Sequence, residues 1–126
     1  MILADTSVWI DHLRGGDKAF AGWLDSGLIL THPFIIGELA LGNLRQRDIV
    51  LNALSDLPRA SVATDAEVRH FVSRHVLFGR GIGYVHAHLL AGVRLTEGAG
   101  LWTKDKRLRA AAVQLGLAFA PQVSRG

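Results

Sequence analysis

Three times in this chain a short apolar run stops at polar residues where a helix can begin: MILADTS (1–7), LILTHP (28–33) and AGLWTKD (99–105). Runs of this length are too short for helices and read as buried strands. Two more, residues 60–63 and LAFA at 117–120, are candidates for outer strands. Between them lie segments with helical signals. Ser7 offers a hydroxyl cap to a helix starting near Val8, and Asp17 to a second piece through Phe20, Trp23 and Leu24. Pro33 suits the first turn of a third helix, since its missing N–H costs nothing there. A further helix is expected over about 46–56. Thr64 with Glu67 forms a capping-box pattern for the next. Gly79, Gly81 and Gly83 precede a helix over about 84–95, and Gly116 closes the last one; the tail after Pro121 is expected to be loose.

Strands alternating with helices predict right-handed βαβ units. The expected fold is α/β, with a short parallel sheet of four to five strands and helices on both faces. At 126 residues the whole chain, 1–126, reads as one domain. It has no cysteine, which removes disulfides, thiolate metal sites and a cysteine nucleophile. The start has no basic segment and carries two aspartates early, so neither a signal peptide nor a membrane span is expected, and a cytoplasmic location is. A formal charge of +3 is compatible with an anionic partner such as nucleic acid, or with nothing more than a basic surface.

In such sheets ligands bind beyond the carboxyl ends of the strands. Asp5 ends the first run, and Asp105 lies just past the fourth. If those strands are neighbours, the two carboxylates can share a cation. Glu38, expected near the start of the helix after the second strand, can lean over the same edge. Three acids there would suit Mg²⁺ or Mn²⁺, both of which favour oxygen ligands. Bland uses compete: Asp5 can belong to a strand-to-helix turn, and Asp105 can cap the helix from Lys106. Glu38 is the only acid in the apolar segment PFIIGELALG, where a buried carboxylate is costly without a partner.

Four blocks, LADTSVWID, IIGELALG, GYVHAHLLA and LWTKDKRL, resemble those of the PIN domain nucleases, in particular the VapC-type toxins of toxin–antitoxin pairs. The resemblance spans nearly the whole chain. It implies a three-layer α/β/α fold with strand order 3-2-1-4-5 and a Mg²⁺- or Mn²⁺-dependent endoribonuclease. It also implies a cognate VapB-like antitoxin and pairing as homodimers. Carried over by position, Asp5, Glu38 and Asp105 are the catalytic acids. Thr103 is the hydroxyl of the last block, and Thr6 or Ser7 supports Asp5. Arg45, Arg47, Lys104, Lys106 and Arg107, with Arg109, form a basic rim for RNA phosphates or else a solvated face.

The chain departs from the pattern at one place. The family's third acid follows two residues after a Tyr or Trp, and here that position is His86, after Tyr84. The implied metal set is therefore Asp5, His86 and Asp105. A neutral imidazole is a poor Mg²⁺ ligand, and losing a negative charge should weaken any divalent cation. His86 and His88 are two apart on a helix, so they point in roughly opposite directions and cannot chelate together. His88 is expected to pack. Two functions stay open: a toxin ribonuclease weakened by His86, or an impaired PIN module that binds RNA or antitoxin without cutting. Trp9, Trp23, Phe20, Phe34 and Phe71 belong to the core or line a groove for an antitoxin helix.

Overall fold

The structure, a computed structural model, describes residues 1–120. Its elements in chain order are β1 (Ile2–Ala4), α1 (Thr6–Gly15), α2 (Lys18–Asp25), β2 (Ile29–Leu30) and α3 (Pro33–Ala40). Then come α4 (Arg47–Ser55), α5 (Asp65–Arg74), α6 (Tyr84–Leu95), β3 (Gly100–Trp102) and α7 (Lys106–Leu115). β1 lies at the centre, parallel to β2 on one side and to β3 on the other. This is the expected α/β architecture, a small parallel sheet flanked by helices.

The sheet has three strands, fewer than the sequence predicts. The two outer segments survive as single parallel bridges, Thr31 to Arg59 and Leu101 to Ala118. Counting them, the lateral order is the expected 3-2-1-4-5. The segment at 60–63 fails as a strand because its backbone is drawn elsewhere. Ser61 N–H donates to Thr96 Oγ1 at 2.9 Å, at the end of α6, instead of continuing the ladder. The Ser61 carbonyl meanwhile presses on α6 so closely that a Cβ on Gly92 would lie 2.7 Å from it. The other edge is one bridge long, with Leu101 N–H donating to the Leu117 carbonyl and Phe119 N–H to that of Leu101. The tail after Pro121 lies outside the described residues.

Leu3, Ile29 and Leu101 stand in the three strands and are buried, as are Leu89, Leu90 and Leu108 on the helices above them. Each such side chain contributes roughly 1.5–3 kcal/mol over leaving it in water. Most of the aromatic residues pack into or against the same core. Trp9, Phe20 and Phe71 are buried, and Trp23 and Phe34 half-buried. Trp9 and Phe20 meet edge-to-face at 4.7 Å, and Trp23 packs edge-on against both Trp102 and Phe119 at 5.2 Å.

Helix starts follow the sequence signals with one shift. Asp17, Thr64 and Asp105 cap α2, α5 and α7, and Pro33 occupies the first turn of α3. α1 begins two residues earlier than Ser7 would allow as its cap. Its N-cap is Asp5, extended at φ −65°, ψ 159°, with its side chain accepting from Thr6 N–H.

Candidate active site

Because β1 is central and runs toward Asp5, that carboxylate emerges at the carboxyl edge of the sheet, beside the end of β3. It is only 2% exposed. A buried carboxylate needs donors, and Asp5 has three. Thr6 N–H donates to Oδ1 at 2.7 Å, while the Ser7 and Thr103 hydroxyls donate to Oδ2 at 2.9 and 2.7 Å. Both hydroxyls are themselves fixed. Ser7 Oγ accepts Lys104 N–H at 3.1 Å, and Thr103 Oγ1 accepts Asp105 N–H at 3.0 Å. Hydrogen bonds to a charged group are worth about 1.5–3 kcal/mol each, so this shell both stabilises and orients Asp5.

The other two acids are each tied to Asp5 through one threonine, Asp105 by its backbone N–H and Glu38 by its carboxylate. Asp105, half-buried, is tied to Asp5 through Thr103, and its Oδ1 accepts Leu108 N–H at 2.9 Å as the cap of α7. Glu38 accepts the Thr6 hydroxyl at 2.8 Å. It is the sixth residue of α3, not near the start as expected, and it is exposed. The cost of burying it therefore does not arise, because its side of α3 faces water. His86 is half-buried in the first turn of α6, a turn that contains no acid. Among the described residues, no three His, Asp or Glu side chains gather tightly enough to hold a metal on their own.

Glu38 and Arg45 also face a cleft of about 440 Å³, walled by Ile10, Leu13, Leu39 and Val50 with Arg14 at its rim. Of the basic residues, Arg45, Lys106, Arg107 and Arg109 are exposed. Lys104 is engaged by Asp11, a partner 93 residues earlier in the chain that sequence reasoning missed. Arg47 donates to the Ala40 carbonyl at 3.0 Å, closing the end of α3.

Two histidines are buried. His88 is 2% exposed and packs as expected, its Nε2 3.1 Å from Asp65 Oδ1, which also accepts the Tyr84 hydroxyl at 2.7 Å. That hydroxyl first, and His88 second, hold the Asp65 carboxyl below the usual range; the same bond to Asp65 pushes the Tyr84 phenol up. Sequence reasoning missed the Asp65 partner; the i, i+4 spacing of Tyr84 and His88, which puts both on one helix face, was the signal that could have found the pair. His32 was not singled out by sequence. It is fully buried and caps α3, its Nδ1 accepting Phe34 N–H at 3.1 Å. Burial first, then the nearby His88 and Arg59, lowers its pKa to about 4.

No family model matches the chain. Ribonuclease VapC32 of Mycobacterium tuberculosis, from strain CDC 1551 / Oshkosh and from strain ATCC 25618 / H37Rv, is 50% identical to it over 124 residues. The match covers 98% of this chain and 100% of each relative. Identity at that level over the full length, with the fold and the carboxylate edge described above, makes the chain a member of the VapC-type PIN-domain toxin ribonucleases.

Proposed function

We propose that the protein is a metal-dependent endoribonuclease, the toxin of a toxin–antitoxin pair, hydrolysing RNA phosphodiesters at the edge formed by Asp5, Asp105 and Glu38. The observation that carries this is the buried Asp5 carboxylate, held by three donors at the end of the central strand with the other two acids linked to it. The donor set suits Mg²⁺ or Mn²⁺. Its oxygens are hard ligands, and Mg²⁺ usually keeps several waters while taking only one or two carboxylates, so a closed three-ligand cage is not required. Asp5 and Asp105 would hold the ion, with His86 alongside. When bound, the ion supplies Lewis acidity toward water and offsets charge growing on the phosphate oxygens.

The chain's own residues do the rest. Thr6, Ser7 and Thr103 fix the direction of Asp5. Glu38, exposed and steadied by the Thr6 hydroxyl, would accept a proton from water. Lys106, Arg107 and Arg45 hold backbone phosphates, which gives salt-dependent binding with little sequence preference. The cleft beside Glu38, apolar with Arg14 and Arg45 at its rim, fits an amphipathic segment of a VapB-like antitoxin. We also expect a homodimer.

The competing function is an impaired module that binds RNA or antitoxin without cutting, and His86 is what favours it. The positive end of α6 disfavours an imidazolium there and lacks the acid it would attract. Total RNA incubated with partner-free protein in Mg²⁺, Mn²⁺ or EDTA, beside Asp5→Ala, separates the two. Cleavage that needs the ion and Asp5 supports the enzyme. RNA retained but uncut in both metals supports the binding module.

A further inference from the structure

Between α5 and α6 the chain turns sharply through residues 75–83, with left-handed backbone at Val76 (φ 52°), Gly79 (φ 72°) and Gly81 (φ 75°). Such a conformation is unusual for a β-branched residue, so the turn is specified tightly at Val76. It drives Leu77 into the core, 3% exposed, and leaves the next side chain, Phe78, 64% exposed. The loop is then fastened to α7. Arg80 Nη1 donates to Gln114 Oε1 at 2.6 Å, and Gly81 lies so close over Arg107 that a Cβ would sit 2.5 Å from its Nη1. The segment contains no acid, and Arg107 is two residues beyond Asp105.

An aromatic ring is thus held out to solvent on a fixed backbone, in a turn whose charged neighbours are guanidinium groups. We infer that Phe78 is a stacking platform for an unpaired base of the RNA substrate, with Arg80 and Arg107 beside it to meet the flanking phosphates. This rests on the ribonuclease reading and names one contact within it: the ring takes a base whose face is free, since paired bases do not expose theirs. Every base has a face to offer, so the platform selects exposed bases and not a sequence.

The test compares a fluorescein-labelled RNA hairpin carrying an unpaired loop with a fully paired duplex of equal length, both in EDTA to prevent cleavage. Phe78→Ala and Phe78→Leu should weaken hairpin binding by roughly 5- to 150-fold and leave duplex binding unchanged, while Phe78→Trp should preserve both. Because Phe78 is exposed, thermal unfolding of the variants should match the parent. Hairpin binding by Phe78→Ala or Phe78→Leu equal to that of the parent overturns the platform alone. A parent protein that binds neither RNA overturns the platform, while the ribonuclease reading stands or falls separately on the cleavage assay in Mg²⁺ or Mn²⁺. Sedimentation showing that Phe78→Ala splits a dimer would assign this face, with the exposed Val76, to a second copy of the chain, and also overturns the platform.

Discussion

Lowering the pH from 8 to 5 should cost the native protein about 2 kcal/mol through His32 alone. The imidazole is fully buried, and its pKa is held at about 4 against an ordinary value of 6.5. Between those values the unfolded chain takes up a proton that the native protein refuses. His32 therefore contributes its full stability above about 6.5, and that contribution is lost as the pH falls toward about 4. The slope approaches 1.36 kcal/mol per unit, which gives about 2 kcal/mol by pH 5 and about 3 at its limit. Charging would also abolish the acceptor at Nδ1 that caps α3 through Phe34 N–H. Urea unfolding at pH 8, 7, 6 and 5 measures the loss. His32→Asn keeps an acceptor oxygen for the cap but cannot titrate, so its pH dependence should be shallower by the same amount. An identical decline in parent and variant would refute the assignment to His32.

Thr103→Val removes one donor from Asp5 and the acceptor for Asp105 N–H, and should lower Mg²⁺ affinity or Mg²⁺-dependent cleavage by about 10- to 100-fold. Thr103→Ser, titrated with Mg²⁺ in the same cleavage assay, should restore most of it. His86→Asp puts an anion in the first turn of α6 and should raise Mg²⁺ affinity and Mg²⁺-dependent cleavage; isothermal titration and a cleavage series across Mg²⁺ concentration check both. Gly92→Ala forces a methyl against the Ser61 carbonyl and should destabilise the protein by about 1–3 kcal/mol in chemical denaturation, while binding to RNA in the folded population is retained.

The sequence carried the central strands and most helix starts because those depend on neighbours close in the chain. Thr64 with Glu67, Asp17 and Pro33 act within one helical turn. The edges were less legible, because their fate turned on distant groups: Thr96 draws Ser61 away from the ladder across 35 residues. The same holds at the site. Ser7 also looked like a cap because a hydroxyl beside a helix start usually is one, but of its two expected uses only the bond to Asp5 is present, and its oxygen serves Lys104 as well. Glu38 looked buried from the apolar letters around it, whereas the packing of α3 turns it to water. Lys104 looked available to RNA, and only the fold brings Asp11 to it. His32 gave no signal because histidine is an uncommon cap; its role appears once the α3 start and the α6 face of Gly92 are seen together.

The bond between Asp5 and Thr103 joins residues 98 apart in the chain. During synthesis the first of them leaves the ribosome long before the second exists. At about 5–20 residues per second the interval is roughly 5–20 s. For that time the nascent chain has β1 without its β3 neighbour and Asp5 without the hydroxyl that aims it. Until its last quarter has emerged, a growing polypeptide of this kind lacks the residues that complete the shell around Asp5, Thr103 with its hydroxyl and Lys104 with its backbone N–H.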